Sequence, residues 1–185
     1  MISRYSAKQV AHFFTKLKSD RKGFTLIELL VVIAIIGVLS GMVLVSMTDV
    51  RAKARDARRN SDITQIRKAL EMYYAENEIY PNAIGWRSSN NAAAWQVLAT
   101  PLATYIVLPK DPVNTASGHA YTAGVYTYSY YTGTGTYVPD SSYTRHWYML
   151  VARLEKPGSI ISPGVKFPNG TYNYSGTLTI GMVQK

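Results

Sequence analysis

The chain has 185 residues, 47% hydrophobic and 17% charged, with no cysteine and a formal net charge of +9. Without cysteine it has neither a disulfide framework nor thiol chemistry. The charge is uneven: Arg4, Lys8, Lys16, Lys18, Arg21 and Lys22 stand against Asp20 alone in the first 23 residues, so +5 of the +9 lies there and +4 on the rest. A high pI of that origin reads as a targeting feature and makes nucleic acid an unlikely partner.

The basic stretch ends in Lys22-Gly23-Phe24-Thr25-Leu26-Ile27-Glu28-Leu29-Leu30, which opens an apolar run over 24–45 whose one charge is Glu28. As a helix that run is roughly 33 Å long, enough for a hydrocarbon core of about 30 Å. A conventional secretory signal puts its apolar core before the cut. Here the core begins at Gly23, so cleavage there would keep it as an anchor. The preceding positive charge holds that end in the cytoplasm and sends the C-terminal part outside. Glu28 is costly deep in a bilayer, about 2.5–3.5 kcal/mol, and less so near its edge. After a cut at Gly23 the new α-amino group of Phe24 would lie four residues away on the same helical face, and it would be positive. The plainer alternative is a polar residue tolerated at the interface. Gly37 and Gly41 form a G-x-x-x-G spacing that lets helices approach closely.

Helical patterning continues to about Asn77, with Pro81 forbidding extension. Val43, Met47, Val50, Ala54, Ala57 and Ser61 make a stripe of mostly small residues, and Ile63, Ile66, Leu70, Tyr73 and Asn77 a bulkier one on nearly the opposite face. The first suits neighbouring helices and the second the chain's own C-terminal domain. Between them lies a belt of Arg51, Lys53, Arg55, Arg58 and Arg59 with Asp49, Asp56 and Asp62. Spacing pairs Asp49 with Lys53, Arg58 with Asp62 and Asp56 with Arg59. The belt reads as solvated, or packed among other subunits, in preference to a nucleic-acid site.

Residues 82–120 look irregular apart from a short helix at 91–99. Three β-prone runs follow at 125–131, 146–155 and 171–183, the middle one apolar enough to be covered on both faces. Eight tyrosines fall between Tyr121 and Tyr148. They suit adhesion, sugar binding or aromatic charge transport, but a sheet of good β-formers with wet hydroxyls explains them more simply. His12, His119 and His146 have no metal-ligand spacing. Asp111 and Asp140, with backbone carbonyls, are the calcium candidates, although no Asp-rich loop is present. No phosphate loop, nucleophile motif or dinucleotide fingerprint occurs, so neither an enzyme nor a cofactor is expected.

The Lys22–Leu30 motif is joined by Arg-Asp-Ala-Arg-Arg-Asn-Ser-Asp-Ile, by Ala-Leu-Glu-Met-Tyr-Tyr-Ala-Glu-Asn closing on Ile79-Tyr80-Pro81, and by Leu108-Pro109-Lys110-Asp111-Pro112-Val113-Asn114. Together these resemble the type IV pilin and type II secretion pseudopilin superfamily, and major pseudopilins in particular. The resemblance implies an α+β fold, with a long N-terminal helix, membrane-spanning in its first half, packed against a small antiparallel β-sheet. It implies a leader at 1–23, a membrane and filament-core segment at 24–45, an outer helix at 46–80 and a globular domain at 81–185. A prepilin peptidase would cut after Gly23 and methylate Phe24. Glu28 would be the assembly glutamate that neutralises a neighbour's N-terminus. Gly37, Gly41, Val50, Ala54 and Ala57 would pack helices in a homopolymer. An assembly ATPase with its membrane platform would be further partners, and the precursor would sit in the bacterial inner membrane with its domain outside, before entering an extracytoplasmic or cell-surface filament. The chain departs from relatives that carry a proline near the end of the span, having Val45 and Ser46 there, and from those with a C-terminal disulfide. A surface type IV pilin for adhesion, motility or DNA uptake is the alternative, and a single-pass membrane-anchored binding protein the alternative of another class.

Overall fold

A computed structural model describes residues 23–83, 85–133, 145–158, 160–167 and 170–184, without the side chains of 43–46. The architecture is α+β: a 52-residue helix α1 (Leu26–Asn77), a second helix α2 (Ala92–Leu102) and six strands. The strands are β1 (Arg87–Ser88), β2 (Tyr128–Tyr131), β3 (Trp147–Arg153), β4 (Val165–Phe167), β5 (Gly170–Tyr172) and β6 (Thr177–Val183). The molecule divides into two units between Ser46 and Met47.

In the first unit the start of α1 is apolar around its whole circumference, and every described side chain from Phe24 to Met42 is exposed. Such a helix has no core of its own to face, unlike an amphipathic surface helix.

In the second unit the remainder of α1 accompanies an antiparallel sheet of order β1-β2-β3-β6 and a two-stranded ladder of β4 with β5. Strand β3 is the central strand, pairing Tyr148 to Met182, Leu150 to Ile180 and Ala152 to Leu178. Alternation along it sends Tyr148, Leu150 and Ala152 into a core with Ile63, Ile66, Ala69 and Leu70 of α1 and Leu98 and Leu102 of α2. Trp147, Met149 and Val151 enter a second core with Ala120, Val165 and Phe167. Coverage of both faces accounts for the unbroken apolar run in β3, as expected from the sequence.

Two elements depart from the sequence reading. The run 171–183 is two strands in two sheets, because the chain turns between them at Gly176 (φ 70°), where Thr177 N–H reaches Tyr174 O at 3.2 Å. Helix α2 starts after Asn91, whose side chain accepts the Ala94 N–H at 3.0 Å, and runs past 99 to Leu102. It buries Trp95, Leu98 and Leu102, spaced to share one face. Helix α1 ends at Asn77, where the sequence pattern put it: Glu78 adopts φ 60° and its N–H bonds Tyr74 O at 2.7 Å, a left-handed cap on a residue other than glycine.

Candidate functional site

The N-terminal segment is built around Thr25 and Glu28. Thr25 N–H and Thr25 Oγ1–H both donate to Glu28 Oε2 at 2.8 Å, and Glu28 N–H donates back to Thr25 Oγ1 at 3.2 Å. This is a capping box, a Thr-x-x-Glu arrangement that satisfies amide donors left over in a helix's first turn. The Thr25-Leu26-Ile27-Glu28 spacing carries that signal in the sequence, where it was missed. Glu28 thus has a local structural role in addition to any intermolecular one. Phe24 is 80% exposed, and a Cβ on Gly23 would meet nothing within 4 Å. Gly37 and Gly41 are equally open on the apolar helix, which is long and apolar enough to cross a membrane.

Beyond Met47, the two faces of α1 differ as the sequence stripes require. Met47, Val50, Ala54, Ala57 and Ser61 are exposed, whereas Ile63, Ile66 and Leu70 are buried, Tyr73 is half-buried and Asn77 is exposed.

The charged belt is only partly the solvated surface expected from spacing: Asp49, Arg51, Lys53 and Arg58 are exposed, but Asp56, Arg59 and Asp62 are buried. Arg59 is fully buried, and its guanidinium clamps Asp111 in a two-pronged pair, Nε to Oδ2 at 2.7 Å and Nη2 to Oδ1 at 3.0 Å. Its Nη1 donates to Asp56 Oδ1 at 2.8 Å and to Glu155 Oε1 at 2.7 Å, and its charge lies 5.1 Å above the Tyr126 ring centre. Arg55 grips Glu155 through Nε at 2.7 Å and Nη2 at 2.5 Å. Asp56 also accepts the backbone N–H groups of Glu155 and Lys156, and Asp111 those of Val113 and Asn114. Burial opposes the charge on Arg59, but Asp111, Glu155 and Asp56 outweigh that cost and make its proton harder to remove than usual. The Arg58–Asp62 and Asp56–Arg59 pairs form as the spacing predicts, the former at 3.7 Å. Asp49 departs from expectation and pairs with Lys156 at 2.6 Å instead of Lys53. Helical spacing sees neighbours on one helix only. It cannot see that the loops holding Asp111 and Glu155 fold over α1.

Of the two calcium candidates, only Asp111 lies among the described residues. Asp111 spends both oxygens on Arg59, and Asp140 lies outside the described residues, as do residues 1–22. No group of three or more His, Cys, Asp or Glu side chains suited to a metal occurs among the described residues.

Burial also changes the reading of the tyrosines. Tyr128, Tyr130 and Tyr148 are fully buried, and their hydroxyls donate to Asp62 (2.7 Å), Pro81 O (3.0 Å) and Glu71 (3.0 Å). Tyr80 adds a second bond to Glu71 at 3.2 Å. Burial first, and then the acceptor Asp62, pushes the Tyr128 hydroxyl well above its ordinary range. The hydroxyls of Tyr128 and Tyr148 tie the sheet to α1, that of Tyr130 ties it to the chain just beyond the helix, and none of the three is wet. Their acceptors on the helix are Glu71 and Asp62, the latter one of the belt acids.

Glu155 supplies a pH test of the charged cluster. Hydrogen bonds from Arg55, against the cost of burial and with help from Arg59, lower its carboxyl from 4.5 to about 2. A depressed folded-state value stabilises the fold fully above the unfolded value, so this contribution is complete above pH 4.5 and disappears as pH falls toward about 2. Thermal midpoints of the full chain in detergent are expected to drop across that window. Glu155→Gln should give a shallower acid decline, and an unchanged acid limb in that variant would refute the assignment.

Comparison with known proteins bears on the N-terminal region. The prokaryotic N-terminal methylation motif matches residues 18–44. The chain is 43% identical over 61 residues to the type II secretion system core protein G of Escherichia coli K12, covering 33% of this chain and 42% of that protein. It is 38% identical over 79 residues to the type IV major fimbrial protein FimA of Dichelobacter nodosus, covering 42% of this chain and 51% of that protein. To core protein G of Vibrio cholerae it is 37% identical over 67 residues, covering 35% of this chain and 46% of that protein. The matched stretch thus spans about half or less of the length of these relatives. No solved structure matches the chain.

Proposed function

We propose that this chain, which resembles type IV pilins and type II secretion pseudopilins, is the precursor of a filament subunit. The observation that carries this reading is the fully exposed apolar helix, which starts just after Gly23 and holds one carboxylate, Glu28, in its first turn. A lone helix of this kind needs an apolar surrounding, first lipid and then identical helices. Residues 1–23 are the leader, 24–45 the span and filament-core segment, 46–80 the outer helix and 81–185 the external domain. A prepilin peptidase cuts after Gly23 and methylates Phe24. An ATPase with its membrane platform then drives assembly of the homopolymer. Glu28 of an incoming subunit neutralises the new N-terminus of its neighbour, and Gly37, Gly41, Val50, Ala54 and Ala57 allow close helix packing.

The capping box makes the test of Glu28 sharper. Glu28→Gln keeps a side chain able to reach back to Thr25 but removes the charge, whereas Glu28→Ala removes both. Both variants are expected to insert and be processed, and both to lose filament assembly. Wild-type assembly by Glu28→Gln would reduce Glu28 to a cap and remove the charge-neutralising role.

Similarity to a secretion core protein and to a fimbrial protein at comparable identity supports two destinations, a secretion pseudopilus and a surface pilus. Intact mass separates them. A species lacking residues 1–23 and carrying one extra methyl, recovered in material sheared from cells, means a surface pilus. The same species retained with membranes favours a pseudopilus or an unassembled pool. A full-length, unmethylated chain in cells with an active prepilin peptidase would remove the filament reading and leave a membrane-anchored binding protein.

A further inference from the structure

Folding hides acids of the outer part of α1 and leaves cations outside. Asp56 and Asp62 are buried, whereas Arg51, Lys53, Arg58, Arg67 and Lys68 are exposed. Of these cations only Arg58 makes an ion pair among the described residues, to Asp62 at 3.7 Å. Exposed acids are scarce: among the described residues of the second unit they are Asp49, Glu76 and Glu78. Lys156 holds Oδ1 of Asp49 at 2.6 Å and leaves Oδ2 open, and Tyr105 takes only Oε2 of Glu76.

The exposed charges repeat along the helix. Arg58 and Glu76 are 18 residues apart, which at 3.6 residues per turn is five whole turns, so they lie on one edge of α1. Asp49 and Arg67 have the same separation and lie on the other edge, about 180° round. Each edge carries one cation and one acid, in opposite order along the axis. Arg67 stands nine residues before Glu76, and Asp49 nine before Arg58. Laying one edge against the other edge of a parallel copy displaced by that amount, about 13–14 Å, pairs Glu76 with Arg67 and Arg58 with Asp49 together. Without displacement Glu76 is level with 74–78, a stretch with a second acid, Glu78, and no cation.

We propose that these four side chains set the register between neighbouring copies of this chain, parallel and edge to edge, with Glu76 of one copy on Arg67 of the next and Arg58 on Asp49. The parallel orientation rests on the filament reading, in which every copy leaves one membrane with the same end inward. Complementary charges of this kind fix register and penalise wrong pairings by like-charge contact. A second copy fits better than a nucleic acid, because the pattern alternates in sign and a polyanion is repelled at Asp49 and Glu76.

The test uses the full chain in its native cells. The chain has no cysteine, so introduced pairs report contacts between copies without background. Arg67→Cys combined with Glu76→Cys is expected to give, on mild oxidation, a ladder of disulfide-linked multimers. Within one copy these positions are roughly 13 Å apart along the helix, beyond the about 7 Å Cα limit for a bridge. Glu76→Cys combined with Glu78→Cys, the pair that undisplaced neighbours bring level, should give no ladder. Charge exchange supplies the second arm. Glu76→Arg alone and Arg67→Glu alone should each lower filament yield at least about tenfold, because like charges then meet at every subunit. Glu76→Arg with Arg67→Glu should return to within about twofold of wild type, which a loss of folding would not do. A wild-type chain that is processed but forms no filament removes the filament reading and this register with it. If wild type forms filaments, normal yield from either single variant, a ladder from 76 and 78 in place of 67 and 76, or no recovery on exchange overturns the register and leaves the filament reading standing.

Discussion

Replacing Arg59 with methionine is expected to lower the stability of the unit beginning at Met47 by about 3–5 kcal/mol, the usual cost of breaking a buried ion pair from one side. Methionine fills much of the same volume, so the loss is electrostatic and not a packing void. Asp56 and Asp111 are 1% and 4% exposed, and without Arg59 their carboxylates have lost the cation that all three acids share. Arg55 cannot substitute, because its guanidinium is directed at Glu155. The thermal midpoint of the full chain in detergent should fall by roughly 10–20 °C. Adding Asp111→Asn to Arg59→Met should restore part of the loss, since the amide needs no counter-charge. A double variant less stable than the sum of its single changes, or an Arg59→Met midpoint equal to wild type, would show that Arg59 does not balance these acids.

Gly181→Ala is expected to cost about 3 kcal/mol, near the upper end for overpacking, although it adds one carbon to a strand. Gly181, on β6, pairs with Met149 of the central strand β3. A Cβ there would overlap the Tyr148 carbonyl oxygen and come to 2.8 Å from Val165 Cγ2. The oxygen belongs to the backbone of a strand paired on both sides, so it cannot swing away as a side chain would. Relief requires β6 to shift from β3 or β4 to move off, and either opens the second core around Trp147, Met149 and Phe167. Gly37→Ala provides the comparison, because nothing lies within 4 Å of a Cβ at that position. It should leave the melting of the second unit unchanged. Equal midpoints for Gly181→Ala and wild type would contradict the close approach.

The apolar start of α1 was legible because it follows from composition alone. A long apolar helix after a basic stretch needs no partner to be recognised, and Gly23, Phe24 and Glu28 are marked by their order. The buried middle of β3 was legible for a similar reason, since six successive apolar residues, Trp147 to Ala152, demand cover on both faces. The division of 171–183 into β5 and β6 was hidden, because β-propensity is nearly continuous there and the turn at Gly176 reveals itself only when the two strands find different neighbours.

Charge was where local reading misled most. Arg55, Asp56, Arg59 and Asp62 look like a soluble belt on α1, and three buried tyrosines look like a wet aromatic surface. Both assignments depend on which loops and strands close over the helix. Asp111 is 52 residues from Arg59, Glu155 is 100 from Arg55 and Tyr128 is 66 from Asp62. Periodicity along the helix cannot encode contacts at such separations. The sequence by itself determined the apolar helix, its single carboxylate and the bulky inward face of α1, because each is a property of neighbouring residues. Only the tertiary structure decided that Asp56 and Arg59 of the belt sit in a buried ion cluster and that Tyr128, Tyr130 and Tyr148 are interior fastenings. Each of those depends on the dielectric and the partners that folding assembles around a side chain.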